Sequence, residues 1–190
     1  MFTKLITPPT DYPITLEQAK EALGYYCSDD DNKVQDYIAS AVDYAQDFQK
    51  KRVYITQTWE VYLDAFTTKI ELPKLPVQSI THIKYKDSTG TETTIDDTDY
   101  ILSNEGYIVP AYGKLWPTFT PYPAEPIRIE FVAGYEPDGA DLAANVPQKI
   151  KQALILLCKH FDYVDVNGRD NVADELMKSA ELLLWMDRAW

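Results

Sequence analysis

The chain has 190 residues, room for one domain or one domain with an appendage, and enough to bury roughly 70% of the surface the unfolded chain exposes. It is 45% hydrophobic and 13% aromatic, with 7 Gly and with 12 Pro spread along its length, which excludes a disordered or low-complexity protein. Lys and Arg total 18 against 30 Asp and Glu, a formal charge of -12 that argues against a DNA reader, although a like-charged wall suits a ring through which a polyanion must slide.

The opening "MFTKLITPPTDYP" lacks a basic segment followed by a long apolar one, and no apolar run approaches the ~20 residues of a membrane span. A soluble chain without a cleaved signal is expected. Thr15 and Gln18 have the spacing of a capping box, and Leu16, Ala19, Ala22 and Leu23 follow at helical spacing up to Gly24. In the next segment Val34, Ile38, Ala41, Val42, Ala45 and Phe48 form one stripe, with "SDDDN" (28–32) at its start and "KKR" at its end, as the helix dipole prefers.

From residue 53 to 135 the period changes to two. In "TWEVYLDAF", Trp59, Val61 and Leu63 alternate with Glu60, Tyr62 and Asp64, which predicts a strand with the first set buried. "SITHIKYK", "ETTI", "YILS", "YIVPA" and "IRIEFVAGY" also read as strands, and "KDSTGTE" reads as a hairpin turn with Gly90 at positive φ. Pro73 and Pro76 predict a stiff extended crossing. Pro117, Pro121, Pro123 and Pro126 hold Trp116, Phe119 and Tyr122 in a second rigid segment.

The chain then returns to helix. Asn145 is a candidate cap with Pro147 in the first turn, ahead of a stripe of Ile150, Ala153, Leu154, Leu157, Cys158 and Phe161. After "VNGRDN" a last helix turns Leu176, Ala180, Leu183 and Leu184 inward, leaving Leu182, Trp185, Met186 and Trp190 off that face. The order predicts an α+β fold in one domain, residues 1–190. Helix pairs at about 15–52 and 146–188 would form one bundle, beside a small central antiparallel sheet built from 53–135.

No catalytic, metal or cofactor-binding residues are predicted. His82 and His160 have no second ligand at metal spacing, and the acids of "SDDDN" lack the alternation, Gly and distal Glu of a calcium loop, so they read as helix capping. G-x-S-x-G, P-loop and G-x-G-x-x-G motifs are missing. Arg52, Arg128, Arg169 and Arg188 are scattered, and Cys27 and Cys158 read as reduced thiols. What stands out is the aromatic content, 14 Tyr, 4 Trp and 6 Phe, mostly core but available as interface anchors at Tyr112, Trp116, Phe119, Trp185 and Trp190.

Taken in order, "PITLEQAKEALGY", "QDYIASAVDYAQDFQKKRVYITQTWEVYLDAF", "IELPKLPVQSITHIKYKDSTG", "DYIL", "WP", "IRIEFVAGY" and "VPQKIKQALILLCKHFDY" resemble the head-to-tail connector (adaptor) proteins of tailed double-stranded DNA phages, carried by a phage or a prophage. The similarity spans about residues 13–163 and rests on the order and spacing of these motifs. It implies a structural virion protein of the neck, present in the host cytoplasm before assembly. Such a protein forms a homo-oligomeric ring of about twelve copies under the portal protein, extends the DNA channel without sequence-specific binding, touches no membrane, and offers a platform to a stopper or tail-completion protein. The resemblance implies no cofactor. It points to Leu182, Trp185, Met186 and Trp190 as the portal-facing group, and to the hairpin Asp87, Ser88, Thr89, Gly90 and Thr91 as contacts with the lumen or next protein. Tyr112, Trp116 and Phe119 are the candidate aromatic interface loop.

The competing reading is a soluble acidic protein-interaction module, monomeric or dimeric, that forms no ring. A stopper or tail-completion protein is the nearer rival, expected to be β-rich without the flanking helix pairs.

Overall fold

The structure is a computed structural model that describes residues 1–186. The chain forms two compact units, one of Met1–Pro9 with Thr56–Tyr135, the other of Thr10–Ile55 with the chain from Glu136 on, so it passes between them after residues 9, 55 and 135.

The second unit is helical. Helix α1 (Leu16–Leu23) starts where the sequence predicts: the Thr15 hydroxyl accepts from Gln18 N at 3.2 Å, the Gln18 side chain accepts from Thr15 N at 3.0 Å, and Gly24 ends the helix at φ 80°. Helix α2 (Asp31–Gln49) buries Val34, Ile38, Ala41, Val42 and Ala45. Helix α3 (Gln148–Asn167) buries Ile150, Ala153, Leu154, Leu157 and Cys158, and α4 (Asn171–Trp185) buries Ala173, Ala180 and Leu184. Since α3 packs against α1, α2 and α4, the helices from the two ends of the chain form one bundle, as predicted. Each large aliphatic side chain in this core contributes about 2 kcal/mol by burial.

Three local expectations are corrected. The end of the α2 stripe is Gln49, not Phe48: Gln49 is fully buried, its Nε2 donates to Leu184 O at 2.8 Å, and its Oε1 accepts from Tyr54 Oη at 2.6 Å, so a polar side chain is kept inside by two satisfied bonds. Asn145 does not cap α3; its Nδ2 donates to Glu136 O at 2.8 Å, and Pro147 holds the cap position. The acids before α2 are not side-chain caps either. The Asp30 side chain makes no cap bond, Ser28–Asp30 form a single 3-10 turn, and Asp31 pairs with Lys20.

The other unit carries the strands. A five-stranded antiparallel sheet has the order β1-β2-β8-β4-β5, from β1 (Phe2–Thr7), β2 (Gln57–Leu63), β8 (Ile127–Ala133), β4 (Val77–Lys86) and β5 (Glu92–Ile95). A three-stranded sheet has the order β3-β7-β6, from β3 (Ile70–Glu71), β7 (Tyr107–Pro110) and β6 (Tyr100–Leu102). The single small sheet of the sequence reading is therefore two. The added edge strand β1 pairs with β2 from Phe2 opposite Tyr62 to Leu5 opposite Trp59, a long-range pairing that a six-residue, mostly exposed segment does not announce.

Central β8 alternates cleanly: Ile127, Ile129, Phe131 and Ala133 are fully buried, with Val61 and Ile83 opposite Ile129 on the same face. On the reverse face, Glu60 departs from the predicted pattern and is 7% exposed. Its carboxylate accepts from Tyr62 Oη at 2.6 Å and lies 3.8 Å from Arg128, which makes the burial tolerable; the hydrogen bond to Glu60, helped by burial, pushes the Tyr62 phenol up to about 12. Gly106 is required in the small sheet. At φ 79°, a Cβ there would stand 2.0 Å from Leu75 Cδ2.

Candidate functional site

The end of α4 presents an apolar stripe. Ala180 and Leu184 face the bundle, so helical spacing turns Leu182, Trp185 and Met186 outward, where they are 59%, 54% and 65% exposed. The helix is anchored at its other end by Asp170, whose carboxylate accepts from Val172 N at 2.8 Å and Ala173 N at 3.1 Å. The bond from Ala173 N foremost, then that from the Tyr163 hydroxyl at 2.9 Å and that from Val172 N, hold the Asp170 carboxyl below its ordinary range. Trp190, the fourth residue of the predicted portal-facing group, lies outside the described residues.

The β4–β5 hairpin is built around one carboxylate. Asp87 Oδ1 accepts from Thr89 Oγ1 at 2.6 Å, Thr89 N at 2.9 Å and Thr91 N at 3.0 Å, led by the hydroxyl in lowering its pKa, and Gly90 takes φ 89°. The proline-rich segment braces it, since Ser88 N donates to Thr120 O at 2.9 Å and Tyr122 N to Lys86 O at 3.1 Å. The tip is thus a preorganised turn whose exposed members are Ser88, Thr89 and Thr91, carrying hydroxyls and no cation.

The third group divides. Trp116 stacks on Phe66 at 4.9 Å between ring centroids, donates Nε1–H to Thr67 O at 2.8 Å, and is half-buried. Phe119 packs on Tyr85 at 4.6 Å and on Phe66 at 6.1 Å. Both rings are engaged within the unit. Tyr112 is fully exposed, and the turn that carries it, closed by Lys114 N donating to Ala111 O at 2.9 Å and by a 2.8 Å Lys114–Asp99 ion pair, also presents Leu115 at 89% exposure. Leu115 was not singled out by the sequence. An apolar residue between a turn and a proline carries no periodic signal.

The titratable groups have structural environments. His160 is buried, with Nδ1 2.8 Å from Ala173 O. His82 has a buried Nε2 without a partner and a pKa lowered chiefly by desolvation. Both cysteines are free thiols, Cys27 exposed and Cys158 buried with its thiol pushed up to about 12. Among the described residues no group of three or more His, Cys, Asp or Glu is placed to hold a metal ion, and no helix is long and apolar enough to cross a membrane.

No curated protein matches the chain. Among solved structures, its fold is similar to a chain in the neck of an empty gene transfer agent particle computed with C6 symmetry, with TM-score 0.77, 19% identity, and coverage of 100% of this chain and 96% of that one. A chain in the virion of the native gene transfer agent particle gives TM-score 0.74 at 20% identity, covering 96% of this chain and 95% of that one. One in the native neck computed with C12 symmetry gives 0.70 at 19%, covering 96% and 94%. At these identities the likeness concerns the fold, and the α+β reading is met along the whole chain. The family model for head completion proteins matches residues 13–174, and the chain belongs to that family.

Proposed function

We propose that this chain is the head-to-tail connector of a tailed-phage or phage-like particle, a structural neck protein and not an enzyme. About twelve copies form a ring beneath the portal protein, extend the DNA channel, and carry the stopper or tail-completion protein. The two units act together as one connector domain over residues 1–190. The observation that carries this reading is the head completion family match over residues 13–174, a span that includes helices and strands of both units. The net charge of -12 suits a wall that passes DNA without holding it, and the outward Leu182, Trp185 and Met186 suit a face that meets the portal.

A ring subunit of this kind need not associate alone, because each interface is modest and the portal template supplies many at once. The test is negative-stain microscopy of the purified chain, alone and mixed with the portal protein encoded beside it. Rings of about twelve subunits, free or seated on the portal, support the connector. Dispersed particles under both conditions would overturn it in favour of an acidic interaction module.

A further inference from the structure

A small basic pocket opens on the strand unit. Its charged lining is Lys84 and Lys86 at the end of β4, Arg128 of β8, Glu92 of β5 and Glu125 from the proline-rich segment, with the Tyr62 and Tyr122 rings beside them, and its volume is about 190 Å³. Three cations in one concavity stand out on a chain of net charge -12. Lys84 lies directly opposite Arg128 in the sheet, a like-charge pairing that weakens a sheet unless an anion offsets it.

The acids at hand offset it poorly. Arg128 reaches Glu92 at 3.4 Å and Glu60 at 3.8 Å, long for charged pairs, and its Nε is buried without an acceptor. Lys86 sits over the Tyr122 ring at 4.2 Å, and Lys84 has no ion-pair partner among the described residues. The wall is stiffly held. Lys86 N donates to Pro126 O at 2.7 Å, and Glu125, just before that proline, takes φ 51°, a left-handed conformation uncommon for a residue with a side chain.

We propose that this pocket receives a carboxylate side chain from an acidic segment of a second copy of the chain, and so locks neighbouring copies together. This rests on the ring reading above. The volume falls below the ~300 Å³ at which small-molecule sites begin, so a single side chain fits and a nucleotide does not. Glu92 and Glu125, which also line the pocket, disfavour a DNA backbone, whose phosphates come in unbroken series, more than they disfavour a single anion. A second copy, with 30 acidic residues against 18 basic ones, offers many carboxylates to this local group of cations, so complementarity at the pocket, set against the repulsion between two chains of charge -12, is the ground for naming it as the donor.

Rings assembled on the portal from equal parts of unlabelled and 15N-labelled full-length chain, treated with a zero-length carbodiimide that joins carboxylates to lysine amines, give the test. Mass spectrometry is expected to find Lys84 or Lys86 joined to an Asp or Glu of the other isotopic copy. The Lys84→Glu/Lys86→Glu double variant should raise the concentration needed for assembly by about tenfold or more, with an unchanged far-ultraviolet circular dichroism spectrum. Arg128 is left alone because it lies against the buried Glu60. Rings whose Lys84 and Lys86 link only within one copy overturn the pocket assignment and leave the ring standing. Failure of the unaltered chain to form rings overturns the ring reading first and the pocket with it. Unimpaired assembly of the double variant, with weakened retention of duplex DNA, would reassign the pocket to phosphate.

Discussion

Trp116 and Trp185 stand in similar company, each among other large apolar residues, yet the structure uses them in opposite ways. Trp116 is stacked on Phe66, bonded to Thr67 O, and closed in with Phe119 and Tyr85, while Trp185 is 54% exposed in a row with Leu182 and Met186. The proline-rich segment has the sheet to lie on; the stripe on α4 is what remains once Ala180 and Leu184 have filled the bundle side. Aromatic content alone therefore does not mark a contact surface. An aromatic covered by its own unit stabilises that unit, while one that keeps about half its surface in solvent still offers that area to a partner.

The widest separation of the two regions should come from the α4 stripe. Replacing Leu182, Trp185 and Met186 together by Ser is expected to abolish attachment to portal-bearing heads, read by co-sedimentation, while leaving the chain folded by circular dichroism; full attachment would take the stripe out of the proposed interface. Phe66→Ala should act the other way, costing about 3 kcal/mol in chemical denaturation because it empties the centre of the ring cluster, and a loss under ~1 kcal/mol would show that the cluster is loosely packed. Trp116→Phe keeps the stacking and removes the bond to Thr67 O, for a loss of about 1 kcal/mol by the same measurement.

A pH experiment sharpens the α4 side. The Asp170 carboxyl is lowered from 3.8 by the groups it accepts from, Ala173 N foremost, so its stabilising effect is fully present above that value and is lost as pH falls through the lower folded value. Asp170→Asn retains a capping side chain without a charge, so in acid titrations followed by helix content its curve should be flatter below pH ~3.8 than that of the unaltered chain. Matching curves would mean other carboxylates govern the acid limb. The smallest effect is expected for Tyr112→Ser, within about 0.5 kcal/mol, since that ring is fully exposed; a larger loss would show that Tyr112 is packed in solution.

The hairpin, the helices and the buried polar groups differ in how far they could be read in advance. Asp87, Gly90 and the two threonines specify their turn through bonds that span at most four residues, and Thr15 with Gln18 specifies the start of α1 across three. Gln49 and Glu60 gave no such sign. Each is polar at a position where a nearby tyrosine hydroxyl, Tyr54 or Tyr62, is not enough, and whose burial depends on a partner far along the chain, Leu184 O for Gln49 and Arg128 for Glu60. The basic pocket was hidden for the same reason. Lys84 and Lys86 are ordinary strand residues until β8 sets Arg128 opposite Lys84 and the proline-rich segment closes over them.

The amino-acid order by itself determined the four helices and most of the residues they bury, the period-two strands of the middle, the β4–β5 turn and the likeness to a family of phage head completion proteins. Those features depend on periodicity and capping within one or two turns of chain, or on motifs kept in order. Only the tertiary structure decided that "FTKLIT" is an edge strand, that the strands divide into two sheets, which tryptophan is enclosed and which exposed, and that three cations share one pocket. Each of these turns on pairing and burial between residues far apart in the chain, where the energy of a side chain is set by what folds against it.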